Sequence, residues 1–334
     1  MRHHTPALTA SLAILLTATT CFAQPDAERA PAPDAPPPPT HERLLGALPR
    51  DAASYLVASL PEFFAAGSAY LLLDPTSANA RQSGGAFHPV TAAAVHYAAK
   101  ADAVAFAIAG SEFELPSDLG VGNFNARIII HTTEPVTAPS EWLDEAGAAI
   151  AFESEIVRDI EVLVSAPAPA DAPGWNYAGP PYALERRCVA LADAHTIVLA
   201  ETAEDAAEMV LAWRTERAFN PRRFAPALDP TLLDAPLVVL RDGLPATRWT
   251  EAPGDADGTL MFAITDVAAP TYTLRYHGTE ARAIISDVIG GAAFDKASTG
   301  DDGVVSTEWT PEGDEARGWL LYTPGLVFGV VFVI

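Results

Sequence analysis

Five short stretches recur in the same order along this chain, and that recurrence narrows the possible folds more than any single motif does. Asp102-Ala103-Val104-Ala105-Phe106-Ala107-Ile108 resembles Asp257-Gly258-Thr259-Leu260-Met261-Phe262-Ala263-Ile264. His131-Thr132-Thr133-Glu134 resembles His277-Gly278-Thr279-Glu280, and residues 146–152 resemble 289–294. Arg187 precedes an apolar strand pair as Arg317 does, and Tyr55-Leu56-Val57 before Pro61 parallels Leu237-Val238-Val239 before Pro245. The order predicts a duplication, with one unit over residues 41–220 and a second over 221–334.

Each unit reads as an α+β arrangement of mainly antiparallel sheet with its helices packed on one face. Apolar, partly β-branched runs predict strands at 103–109, 126–131, 156–164, 187–192 and 196–200. Helical spacing is expected from Pro61, over Ser140–Phe152 and over Ala203–Arg217, the last with Met209, Val210 and Trp213 on one face. The apolar run Leu326–Ile334 predicts a central strand.

The N-terminus adds an export signal. Arg2 precedes an apolar stretch from Ala7 to Ala18, about twelve residues against the roughly 20 that span a bilayer. Cys21-Phe22-Ala23 then offers small residues at the positions a signal peptidase reads, so residues 1–23 are expected to be removed. Lipid attachment at Cys21 is the alternative. Seven of the seventeen residues from Gln24 to Thr40 are proline, which predicts an extended polyproline II linker over 24–40. The expected location is periplasmic or secreted, within the cell envelope.

The formal net charge is −23, with only two lysines, Lys100 and Lys296. Such a surface repels phosphates, which argues against nucleic acid as a partner. After the signal peptide, Cys188 stands alone and cannot form an intramolecular disulfide; it reads as a buried strand residue.

No Gly-x-Ser-x-Gly elbow, Ser-x-x-Lys pair or phosphate-binding glycine loop occurs. The repeated His-x-Thr-Glu motif is the most specific polar feature. Two copies across a pseudo-twofold axis would bring His131, Glu134, His277 and Glu280 together, and a carboxylate beside an imidazole can tune it for acid-base work or order it as a metal ligand. The competing reading makes Thr133 and Thr279 helix N-caps with an acid in the first turn. Trp175, Tyr177 and Tyr182, on a Pro/Gly-rich loop, are candidates to stack on a sugar or peptide, or to close over the core. Asp255 with Asp257 and Asp301 with Asp302 are candidate calcium ligands, although Asp-Gly at 242–243, 257–258 and 302–303 also has turn chemistry.

The residues therefore predict a non-catalytic, monomeric envelope protein that binds or scaffolds a protein or polysaccharide without a cofactor. A hydrolase-type enzyme with its site at the junction of the two units is the alternative. A calcium-stabilised module is the third.

Overall fold

The computed structural model describes residues 37–59, 101–109, 126–136, 152–165, 188–244, 256–267, 269, 271–279 and 296–310 of the 334-residue chain. They form strands β1 (Ala52–Ser59), β2 (Ala101–Ala109), β3 (Ala126–Thr132), β4 (Phe152–Val157), β5 (Ile160–Ser165), β6 (Cys188–Asp193) and β7 (Thr196–Ala200). After a helical segment come β8 (Leu237–Leu244), β9 (Ala256–Asp266), β10 (Thr271–Gly278), β11 (Ser298–Thr299) and β12 (Val305–Trp309). All join one antiparallel sheet in the order β11-β12-β10-β9-β8-β1-β2-β3-β7-β6-β5-β4. Helices α1 (His41–Ala47) and α2 (Ala203–Arg214) complete the α+β fold.

The centre of the sheet has a mirrored register. Leu56 lies opposite Val239, and around that pair the partners interchange: Tyr55 faces Leu240 and Val57 faces Val238. Moving outward, Ala105 lies beside Val57 and Met261 beside Leu240. One strand further, His131 pairs with Ala103 and His277 with Thr259. The strand order β1-β2-β3 on one side thus answers β8-β9-β10 on the other.

Alternation sends one set of side chains to the helix-bearing face. Val57, Ala105, Ile129, Val198, Ala190, Val238, Leu240, Met261 and Ala263 belong to the core there, together with Ala206, Ala207, Met209, Val210 and Trp213 of α2. Burial of each large apolar side chain on α2 contributes about 1.5–3 kcal/mol, and that face holds the helix down. Over β8 and β9 the cover is the segment carrying the 3-10 turns Pro221–Phe224 and Pro230–Leu232, which inserts Phe224, Leu233 and Ala235 into the same core. The opposite face is buried as well at Val104, Ile130, Ile197, Val239, Leu260, Phe262 and Ile264.

Local chemistry sets the helix ends. Thr40 Oγ1 accepts from Arg43 N at 3.3 Å to start α1, and Thr202 Oγ1 accepts from Asp205 N at 3.1 Å to start α2, with Glu204 and Asp205 in its first turn. The last carbonyls of α1 are taken by one side chain: Arg217 donates to Gly46 O at 2.8 Å, Ala47 O at 3.4 Å and Leu48 O at 2.6 Å. Gly46 is needed for this approach, since a Cβ there would run into the Arg217 carbonyl.

Several expectations need correction. The run 156–164 is not one strand but the end of β4, a turn at Arg158 and Asp159 with φ of 51° and 63°, and β5. Two consecutive positive φ values are what a tight hairpin requires, and no glycine announces them. Helix α2 stops at Arg214, three residues early, because Thr215 Oγ1 bonds Leu211 O at 2.7 Å and Glu216 takes φ of 49°. Asp257-Gly258 lies inside β9 and Asp242-Gly243 inside β8, at an irregularity in its pairing with β9, so neither is a turn between strands. Only at 302–303 does the turn reading hold, with Gly303 at φ of 78°. Residues 1–36, the helix expected from Pro61, residues 137–151 and the C-terminal run 311–334 lie outside the described residues.

Candidate functional site

A buried pair of titratable side chains sits where β3 ends. At β2 the register advances from Ala101 opposite Thr132 to Ala103 opposite His131, so Asp102 is an extra residue in a β-bulge. Regular alternation would turn Asp102 away from the face that carries His131; the bulge re-aims it. The result is a hydrogen bond from His131 Nδ1 to Asp102 Oδ1 at 2.7 Å, with the two side chains only 5% and 8% exposed.

Two further side chains pack against this pair. The His195 ring stacks on His131 with centroids 5.9 Å apart, and Trp213 lies 6.4 Å away. His195 is itself fixed by donating from Nδ1 to Thr132 O at 3.0 Å. Trp213 Nε1 donates to Asp193 Oδ2 at 2.6 Å, and the Arg43 guanidinium covers the indole face at 4.2 Å. Burial alone would raise the Asp193 carboxyl, but hydrogen bonds from Trp213 and from the His195 backbone N–H at 2.8 Å hold it below the ordinary carboxylate value.

A carboxylate that orients an imidazole is the arrangement of a general base and its positioning group. Here the imidazole is buried, 5% exposed, against the rings of His195 and Trp213. A hollow of about 40 Å³ lies elsewhere, between α1 and residues 218–224, lined by Tyr55, Phe219, Arg223 and Phe224. It has room for a water or so, against roughly 300 Å³ or more for a small-molecule pocket.

A second imidazole lies at the start of α1, between Leu233 and the end of β1. His41 Nδ1 donates to Leu233 O at 2.7 Å, which leaves Nε2 as an acceptor 3.4 Å from Ser59 Oγ. Burial pushes the His41 pKa down, against the Leu233 carbonyl and the Asp234 charge, so the ring is held neutral.

The structure separates the residues the sequence would unite. His131 on β3 and His277 on β10 stand five strand steps apart, roughly 24 Å at the usual spacing. His277 lies opposite Thr259 with no bulge, next to the turn at Gly303. Glu134 is exposed, with its backbone carbonyl accepting from Thr132 Oγ1 at 2.7 Å. No helix starts at Thr133, since residues 133–136 form a bend and irregular chain. Glu280, Asp255, Trp175, Tyr177 and Tyr182 lie outside the described residues. Asp257 is in β9, while Asp301 and Asp302 are exposed in the turn before β12, where Asp302 Oδ1 accepts from Val304 N at 3.0 Å. Among the described residues no three His, Cys, Asp or Glu side chains form a metal-holding group. Sequence reasoning missed Asp102, Asp193, His195, Trp213 and the Ser59–His41 relation. The Asp102 part alone carried a signal, as the residue that opens the first repeat.

No family model and no curated protein matches the chain. Among solved structures it is similar to three crystal forms of TP0453. Form I is 11% identical with a TM-score of 0.45, covering 83% of this chain and 96% of that one. Forms III and IV are each 12% identical, with TM-scores of 0.47 and 0.44 and coverage of 83% of this chain against 95% and 94% of theirs. No role passes to this chain from that likeness. Among the described residues no helix is long and apolar enough to cross a membrane.

Proposed function

We propose that this chain is an exported, non-catalytic binding or scaffold protein of the cell envelope, acting on a protein or polysaccharide partner. The observation that supports it is the closure of the Asp102–His131 pair beneath Trp213 and His195, which gives the imidazole a packing role and no substrate. The mirrored register around Leu56 and Val239 supports a duplication, with units over 41–220 and 221–334 sharing one sheet. The export reading rests on residues 1–23 and on the proline-rich stretch after them.

The test is expression with the leader intact, followed by cell fractionation, N-terminal determination and cross-linking in the living cell. The expected result is a mature chain starting at Gln24 outside the cytoplasm, cross-linked to a defined envelope macromolecule. Recovery of uncleaved protein in the cytoplasm, or turnover of ester, peptide or glycoside substrates that His131→Gln abolishes, would overturn the proposal.

Among the described residues the hydrolase reading is supported by the relation of Ser59 Oγ to the neutral His41, which has the sense of nucleophile and base. Its test is labelling by a fluorophosphonate: the reading requires a Ser59 adduct that Ser59→Ala and His41→Asn both remove.

A further inference from the structure

The sheet ends at β4, and among the described residues nothing pairs with its outer edge. Natural sheets blunt such edges with charged side chains, proline, a bulge or a covering element, and charge of one sign bars self-pairing while leaving a partner of the opposite sign free to add. β4 carries no lysine or proline, and its pairing with β5 runs without a shift from Phe152 opposite Ser165 to Val157 opposite Ile160. Residues 153–156 are exposed, and Ile156, at 69%, is the exposed large hydrophobic of the described residues.

The turn fixes which backbone groups look outward. With the two-residue loop Arg158-Asp159 at positive φ, Val157 and Ile160 form the hydrogen-bonded pair that closes the hairpin. Counting back in twos, residues 153, 155 and 157 direct their N–H and C=O groups to β5. Phe152, Ser154 and Ile156 direct theirs to the free edge.

Side-chain direction then sets the partner's chemistry. Glu153 and Glu155 lie opposite Val164 and Val162, on the helix-bearing face of the sheet. Ser154 and Ile156 lie on the other face with Glu161, which accepts from Ser154 Oγ at 2.8 Å. A second copy of β4 docked antiparallel about Ser154 would set Glu153 against Glu155 twice, and like charges directly opposite are destabilising. A strand with Lys or Arg at alternate positions would instead face both glutamates with opposite charge, and an apolar residue flanking the basic pair would lie opposite Ile156.

We propose that the β4 edge is a docking site for an extended, alternately basic segment of another exported protein, which adds to the sheet as a further strand. This rests on the binding-protein reading and gives it a site and a partner chemistry. Main-chain bonds to 152, 154 and 156 would provide the attachment, and Glu153 and Glu155 the selectivity.

The experiment uses the full mature chain and two labelled synthetic peptides, one alternating Lys with Val and Thr, the other with Glu in place of Lys, read by fluorescence anisotropy. Wild type should bind the lysine peptide and not the glutamate one, and the affinity should fall several-fold between low salt and about 0.3 M NaCl. The double variant Glu153→Lys/Glu155→Lys should reverse the preference by roughly tenfold, as two attractive cross-strand pairs become repulsive ones. Ser154→Pro, which removes an outward N–H and none directed at β5, should weaken the lysine peptide's binding to wild-type chain background to nothing measurable. If the wild type fails to bind the lysine peptide, or the charge-reversed variant keeps the same preference, the edge proposal is overturned. The envelope-binding reading would survive that result, because cross-linking in the cell decides it separately; peptide binding without any cellular cross-link would sink that reading and leave the edge standing.

Discussion

Asp102→Ala is the most informative single change, because the bulge exists to bring one carboxylate to one imidazole. The substitution keeps the extra residue in β2 and removes only the acceptor for His131 Nδ1, at a place where water is excluded. A buried donor left without its partner costs about 1–3 kcal/mol. His131→Phe leaves the converse, a buried carboxylate without its donor, and breaking a buried pair in that way costs about 3–5 kcal/mol. The double variant Asp102→Ala/His131→Phe removes both halves, so its loss should fall short of the sum by about 2 kcal/mol, well outside the usual additivity error. The assay is urea unfolding followed by circular dichroism and by tryptophan fluorescence, with coincident transitions required before free energies are compared. Single variants within about 0.5 kcal/mol of wild type, or a double variant whose loss equals the sum, would refute the idea that this pair is a satisfied unit of the core.

Three further outcomes follow from other parts of the fold. Burial holds the folded-state pKa of His41 below its ordinary 6.5, so the unfolded chain binds the extra proton first. The stability this neutral ring contributes is present above pH 6.5 and is lost as pH falls below it, and His41→Asn should flatten the melting-temperature profile over that limb. Gly258→Ala would press a Cβ into Tyr276 Oη and the His277 carbonyl, so it should cost about 1–3 kcal/mol by thermal unfolding, as overpacking does. Arg217→Met should cost about 2 kcal/mol and, in hydrogen exchange, release α1 before the sheet, because three carbonyls at the end of α1 lose their donor.

Strands β2, β3, β6 and β7 were legible because their apolar runs are continuous, so existence and type follow from pattern alone, whereas β10 and β12 interleave polar residues and gave no such run. Their arrangement was partly legible too, since the recurring stretches Ala105–Ile108 and Met261–Ile264 occupy matching places about the central strand pair. The β4–β5 hairpin was hidden by its turn: Arg158 and Asp159 hold positive φ without glycine or asparagine, so the run 156–164 reads as unbroken. The candidate site was illegible for a different reason. A bulge shifts alternation by one residue and leaves no mark in composition, and the partners Asp102, His195 and Trp213 come from three separated stretches that only the sheet brings together.

The two histidines at matching positions show how neighbours decide what a repeated residue becomes. In the first half the extra residue at Asp102 gives His131 a carboxylate, and α2 with its Trp213 seals the pair. In the second half β9 has no extra residue there: Gly258 sits opposite Gly278, and the space a side chain would take at 258 holds Tyr276 Oη and the His277 carbonyl. A bulge at 258 would have to displace that tyrosine, which is fully buried. One half therefore spends the position on a sealed polar pair and the other on close backbone packing. Among the described residues the two imidazoles stand five strand steps apart, His131 buried and His277 half-buried beside the turn at Gly303.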